Sequence, residues 1–210
     1  MDEAIIGCVL PAGLGQAPAR QAALAAGLPT STACTTINKV CGSGMKAIMM
    51  GSDLIRAGSA KVVVAGGMES MTNAPHLLNG SRTGLRYGNA EMLDHMAFDG
   101  LTNAYDGKSM GIFADAMAEK YGFSREDQDA YAAESVRRAL AAIEADAFAN
   151  EIAPVTVSGR KGDVVHSTDE QPGRCNIEKI PSLRPAFNKD GTVTAASSSS
   201  ISDGAAAVVL

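Results

Sequence analysis

No stretch of this 210-residue chain approaches the roughly 18 consecutive apolar residues of a membrane-crossing helix, so no span and no membrane partner is expected. No secretion signal is expected either, since Met1-Asp2-Glu3 is acidic where such a signal carries a basic region. Positive charge is in short supply, with 18 Lys and Arg against 23 Asp and Glu and a net charge of −5. That balance excludes nucleic acid as a main partner, though a phosphate-bearing ligand needs only a local basic patch. The four cysteines, Cys8, Cys34, Cys41 and Cys175, form neither a CxxC pair nor a zinc-ligand spacing. No metal site is expected, and a reducing, cytoplasmic compartment is the simplest reading. No internal repeat is visible.

What is present describes a globular α/β protein. Hydrophobic residues make up 46% of the chain, enough for one core or one core plus an excursion. Ala4–Leu10 reads as a buried strand. A helix is expected to open at Pro18 and close before Gly27, and the β-branched run within Lys61–Ala65 reads as a second strand. Strand, helix, helix, strand is the grammar of α/β layering. Beyond Met71 the character changes. Ser109–Lys120 is predicted as a helix, and Ser124 opens a long Ala-rich helix expected to run to about Phe148. Ile152–Val157 and Asp163–His166 read as strands. Ser197–Ser200 has the composition of a flexible linker but lies where an ordered turn is expected. Ala205–Leu210 reads as a final strand. The expected division is an α/β core over 1–72, an inserted α+β loop domain over 73–198, and a return strand over 199–210.

Cys41 carries the chemistry of this reading. It lies in Asn38-Lys39-Val40-Cys41-Gly42-Ser43-Gly44-Met45-Lys46-Ala47, where a helix is about to begin. The expected apolar stripe of that helix is Met45, Ile48, Met49, Gly51 and Ile55, with Lys46, Asp53 and Arg56 off it. A thiol at a helix N-terminus is favoured as thiolate, and Gly42 and Gly44 leave room for a bulky acyl donor. Two competing readings exist. A cysteine beside glycine is commonly just a small buried hydrophobe. Gly42-x-Gly44-x-x-Ala47 also fits a dinucleotide-binding fingerprint, with Glu69 as the ribose acid. Two features weigh against that fingerprint: Ser31–Lys39 is too polar for the strand that should precede it, and Gly66-Gly67-Met68 separates Glu69 from the following strand.

Several blocks in order extend the pattern: Asn38–Ala47, then Val63-Val64-Ala65-Gly66-Gly67-Met68-Glu69-Ser70-Met71-Thr72-Asn73-Ala74-Pro75, then Leu183-Arg184-Pro185-Ala186-Phe187-Asn188-Lys189-Asp190-Gly191-Thr192-Val193-Thr194-Ala195, then Ile201-Ser202-Asp203-Gly204-Ala205-Ala206-Ala207. Together they resemble the thiolase family across essentially the whole chain, as a partial chain lacking the opening of the first half and all of the second. The resemblance implies an incomplete thiolase-like N-terminal half with an inserted loop domain. It implies acyl transfer between CoA thioesters: Cys41 forms an S-acyl enzyme, either for condensation of two acetyl-CoA or for thiolysis of a 3-ketoacyl-CoA. Acyl-CoA and CoA are then substrates rather than permanent cofactors, and the parent enzyme is expected to be a homodimer or homotetramer.

By the same resemblance, Leu101, Met110, Arg174, Ala186, Phe187, Ala195 and Ser199 contact CoA, although each apolar one is also a plausible core residue. Ser109 replaces the histidine that usually precedes Met110, and Ser197-Ser198 replaces the Asn-Ala that usually precedes Ser199. The family's Gly-His-Pro, Cys-x-Gly-Gly-Gly and Asn-Glu-Ala-Phe motifs do not occur in the sequence. His76, His95 and His166 stand outside the first of these and are read as surface or structural. The isolated chain is therefore expected to be inactive and prone to association through its sheet edges. At most it would act as a CoA-binding module.

Overall fold

The computed structural model describes residues 1–210. The chain forms two compact units, Met1–Gly107 with Ile201–Leu210, and Lys108–Ser200. The first contains β1 (Glu3–Gly7), α1 (Pro18–Ala25), β2 (Ala33–Ile37), α2 (Ser43–Arg56), β3 (Val63–Glu69) and a short ladder of β4 (His76–Leu78) with β5 (Met92–Asp94). The second contains α3 (Met110–Tyr121), α4 (Arg125–Glu144), the hairpin of β6 (Val155–Gly159) and β7 (Gly162–His166), and α5 (Gln171–Arg174). Strand β8 (Gly204–Val209) belongs to the first unit.

The main sheet has the order β2-β1-β3-β8. Strand β1 runs parallel to both neighbours, with Ile5 opposite Thr35 on one side and Ala65 on the other. Strand β8 runs antiparallel to β3, pairing Gly66 with Ala207. The run Ala4-Ile5-Ile6 forms the buried central strand, as a parallel strand covered on both faces requires. Ile5, Ala47, Ala60, Val63 and Ala65 form the core, with Met50, Leu54 and Ile55 of α2 packed against it. Ile5 and Val63 are fully buried and each contributes about 1.5–3 kcal/mol of apolar burial. The Asp2 carboxylate accepts the amide protons of Lys61 and Val62 at 2.6 and 3.0 Å, fixing the start of β1 beside β3.

Four expectations are corrected here. The polar segment before Cys41 does contain a strand, β2. It lies at the sheet edge, where half-burial removes the need for an apolar run, and its Thr36 Oγ1 accepts the Ala19 amide of α1 at 3.0 Å. Strand β3 continues through Gly66-Gly67-Met68 to Glu69 because β8 pairs along that stretch. A Cβ on Gly66 would lie 2.1 Å from the Ala206 carbonyl oxygen. Helix α2 buries the face of Ala47, Met50, Gly51 and Leu54, while Met45 is 72% exposed and Ile48 and Met49 also face outward. Of the expected stripe, Gly51 and Ile55 do pack on the sheet side, and Met45, Ile48 and Met49 do not, because the helix is apolar on two sides. Helix α4 stops at Glu144, short of Phe148, and Asp146 takes a positive φ of 51° in the turn that follows.

In the second unit, Ser124 caps α4 by accepting the Asp127 amide at 3.0 Å. Ala132, Ala133 and Ile180 form a small core, covered by Cys175, Ile177 and Ala196. The Ser-rich segment is ordered. Thr194 and Ser197 form a reciprocal capping box, and Ser198 Oγ donates to the Thr194 carbonyl at 2.7 Å. No helix is long and apolar enough to cross a membrane.

In the first unit, Asp203 accepts the Thr72 amide at 2.9 Å, which ties the segment after β3 to the approach to β8. That backbone bond holds the Asp203 carboxyl below its ordinary value of 3.8. A lowered folded-state value means the carboxylate stabilises the fold above pH 3.8 and that this contribution fades as pH falls through the lowered value. Asp203→Asn should therefore cost about 1 kcal/mol at pH 7, since the group is solvent-screened. The difference in thermal midpoint from the unsubstituted protein should close in acid. Calorimetry across pH 2–7 checks this, and a difference as large at the acid end of that range as at pH 7 would refute it.

Candidate active site

Chain direction and glycine place Cys41 at a fixed turn. Strand β2 ends at Ile37, the chain turns over Asn38–Gly42, and α2 begins at Ser43 with Gly42 as its N-cap. Cys41 is exposed, immediately before that cap. The turn is strained at Val40, a β-branched residue at φ 48°, where ordinary side chains are rarely found. Such a conformation costs on the order of 1–3 kcal/mol and persists only when its surroundings hold it. They do. Asn38 Oδ1 accepts the Val40 amide at 2.8 Å, and Ser43 Oγ donates to the Val40 carbonyl at 2.6 Å. The same hydroxyl accepts the Lys39 amide at 2.8 Å, and Ser43 is itself buried.

The first turn of α2 sits directly on the carboxyl ends of two strands. A Cβ on Gly7, the last residue of β1, would lie 2.5 Å from the Ser43 Cβ. A Cβ on Gly67 of β3 would lie 3.3 Å from the Gly44 Cα. Only glycine backbone on the strands permits that approach. The place is the one where open α/β sheets present ligand sites, beyond the carboxyl ends of parallel strands. An α-helix leaves its first amides without intrahelical partners, and an exposed thiol beside them has both access to an acyl carbonyl and donors for the oxyanion that forms on attack.

Other groups near this end of the sheet have structural duties. Glu69 accepts the amides of Val9 and Leu10 at 2.8 and 3.0 Å and stitches the loop after β1 to the end of β3. Its two oxygens are thereby committed, which removes it as a ribose acid. This bonding, and not the two sequence features held against the dinucleotide fingerprint, excludes that reading, because β2 does precede the glycines and Glu69 does end β3. Cys8 is buried, its thiol pushed up by desolvation and by the Glu69 charge, so it is a poor nucleophile. His95 is buried with both ring nitrogens occupied, Nδ1 2.6 Å from Asp99 and Nε2 3.4 Å from the Ala12 amide. His76 and His166 are exposed.

The residues expected to contact CoA are distributed over both units. Leu101 closes the helical turn Met96–Leu101 of the first unit and is half-buried. The others lie in the second unit. Met110 starts α3 and is exposed, and the next residue, Gly111, has the Phe187 ring against it: a Cβ there would lie 2.1 Å from the ring. Ala186 and Phe187 sit on a hairpin closed by the Ala186 amide donating to the Val193 carbonyl at 2.9 Å and by a Pro185–Thr194 bridge. Ala195 opens the next short helical turn, with Ser199 exposed just beyond it. Arg174 pairs with Glu170 on the surface. Its neighbour Cys175 covers the same small core as Ala196. Ser43 and Asp115 are important here and are not singled out by the sequence, and Glu69 is singled out only as a ribose acid, not as the structural clamp it proves to be. Asp115 had a signal, an acid in the otherwise apolar run Met110–Ala118.

The sequence pattern described as "Thiolase, N-terminal domain" matches residues 1–210. An acetyl-CoA acetyltransferase of Pseudomonas aeruginosa is 53% identical over all of this chain and 54% of its own length. One of Saccharomyces cerevisiae is 50% identical over all of this chain and 53% of its own. A solved structure, the Acat5 thiolase from Ascaris suum in complex with coenzyme A, superposes with a TM-score of 0.91 at 45% identity, again over all of this chain and 53% of the other. The chain spans about half the length of these relatives. It belongs to the thiolase family, and its α/β fold is a thiolase fold.

The geometry makes Cys41 the readily modified thiol of the first unit. Brief iodoacetamide treatment of the folded protein should label Cys41, with Cys8 labelled only after denaturation. Peptide mass spectrometry reads both sites, and labelling of Cys8 at the rate of Cys41 would contradict the burial described.

Proposed function

We propose that this chain is the nucleophile-bearing part of an acetyl-CoA C-acyltransferase. The Cys41 sulfur attacks the thioester carbonyl of an acyl-CoA. The bond from carbonyl carbon to CoA sulfur breaks, CoA leaves as its thiol, and the acyl group remains on Cys41. In the condensing direction the α-carbon of a second acetyl-CoA, after losing a proton, attacks the S-acyl carbon and releases Cys41. In the degradative direction Cys41 attacks the ketone carbon of a 3-ketoacyl-CoA and the bond from that carbon to the α-carbon breaks. The α-carbon takes up a proton and leaves as acetyl-CoA, and free CoA then collects the acyl group from Cys41. Two half-reactions through one covalent intermediate give ping-pong kinetics. The Cys41 amide, at the start of α2, supplies one donor for the oxyanion of each tetrahedral intermediate.

The observation that carries this reading is the exposed Cys41 turn, buttressed by Ser43 and seated on Gly7 and Gly67, in a chain matching its family from end to end. By the family resemblance Leu101, Met110, Ala186, Phe187, Ala195 and Ser199 contact CoA, and Arg174 reaches toward its phosphates. The acid–base groups that move protons to and from the thiol and the α-carbon lie outside these 210 residues. The outward face of α2 carries the exposed Met45, Ile48 and Met49. The chain taken alone then has negligible turnover, and the whole enzyme is a cytoplasmic homodimer or homotetramer.

Incubating the whole protein with acetyl-CoA should leave an acetyl group on the peptide containing Cys41, and Cys41→Ala should abolish it. The loss in turnover should be on the order of 10⁴-fold or more, as for removal of a covalent nucleophile. An undiminished adduct elsewhere in the Cys41→Ala protein would overturn the assignment.

A further inference from the structure

Asp115 lies on α3 within the otherwise apolar run Met110–Ala118, and is only 8% exposed. One carboxylate oxygen, Oδ1, accepts the amides of both Thr192 and Val193 at 2.9 Å. The other, Oδ2, is buried with no hydrogen-bond partner. A buried carboxylate is costly to keep, so an acid here needs a reason beyond filling space. The two amides belong to the returning arm of the 185–194 hairpin. A Cβ on Gly191, at the turn of that hairpin, would lie 2.4 Å from Oδ2, so the carboxylate reaches backbone only because residue 191 is glycine.

The same helix face holds the hairpin's other arm. Gly111, one turn before Asp115, takes the Phe187 ring against its backbone, beside Met110. From α4, Gln128 donates to Thr192 Oγ1 at 2.9 Å. The Arg125 guanidinium donates to the Leu183 and Ile180 carbonyls at 2.8 and 3.2 Å, just upstream of the hairpin. Arg125 thus fixes the entry to the hairpin and Asp115 its exit. Between them lie Ala186 and Phe187, and Ala195 follows at once.

We infer that Asp115 is a positioning residue for CoA: through the amides of Thr192 and Val193 it sets where the 185–195 hairpin presents Ala186, Phe187 and Ala195 to the ligand. This rests on the proposal that those residues meet CoA. Asp115 touches no reacting atom and acts only through the hairpin it holds.

The test is calorimetric titration of CoA into the whole protein and into three variants. Asp115→Ala should weaken CoA binding about tenfold, since both amides lose a charged acceptor. Asp115→Asn keeps one carbonyl oxygen facing the amides and should restore affinity to within about threefold of the unsubstituted protein. Gly191→Ala keeps the carboxylate but forces the hairpin off it, and should match Asp115→Ala. Cys41 alkylation rate, measured in parallel, should be the same in all four, which separates hairpin positioning from general loss of structure. If Asp115→Ala does not fold, the other two variants decide. Unchanged CoA affinity in Gly191→Ala or Asp115→Ala, or an Asn variant as weak as Ala, would overturn the inference and leave the proposed function standing. Failure of the unsubstituted protein to bind CoA would overturn the proposed function and this inference with it.

Discussion

The first turn of α2 rests on bare backbone. Gly7 at the end of β1 and Gly67 in β3 clear the space that Ser43 and Gly44 occupy; a methyl group at Gly7 would push the helix away, and one at Gly67 would be a tight contact. Everything at the candidate site follows from this seating. It sets the height of the helix start above the sheet and therefore the path of the Asn38–Gly42 turn. It also buries Ser43, whose hydroxyl bridges Lys39 and Val40 and holds Val40 at a positive φ. Val40 in turn directs the chain so that Cys41 emerges exposed beside the helix start. The strain at Val40 is supported by three short-range polar contacts and by the close seating of the helix start.

The second unit works on a related principle with different means. There the constraint is polar: a carboxylate and a guanidinium, both mostly out of solvent, grip backbone groups at the two ends of one hairpin. The apolar cores of both units are modest and rich in alanine. Helices with small side chains approach other backbone closely, so precise placement comes from glycine contacts and side-chain-to-backbone hydrogen bonds more than from bulk. That arrangement suits a protein whose proposed ligand is long and must be held at several points.

Much of this was legible in the sequence. Pro18 and Ser124 marked helix starts correctly, the Ala4-Ile5-Ile6 run marked the central strand, and the glycine-flanked Cys41 was placed at the start of a helix, where it is found. The failures share a cause. Strand β2 is an edge strand and carries no apolar run to announce it. The continuation of β3 through two glycines depends on pairing with β8, more than 130 residues away in sequence, and local composition cannot report that. The face of α2 was misread because both sides of the helix are apolar, and periodicity alone does not say which side meets the sheet. Glu69 and Asp115 bond to backbone amides some 60 and 77 residues away, brought near by tertiary folding, and nothing in their neighbours foretells those amides, while the Ser43 bonds are local and depend on the positive φ at Val40.

The account stands on the seating of α2, and one substitution tests it without touching the thiol. Gly7→Ala adds a single methyl group at the end of β1, aimed at Ser43. The measurement is the rate of Cys41 acetylation by acetyl-CoA in the whole protein, with folding checked by circular dichroism. The account predicts a folded protein whose acetylation is slowed by about tenfold or more, because a displacement of about 1 Å at a reacting group is enough to do so. A folded Gly7→Ala protein acetylated at the unsubstituted rate would contradict it.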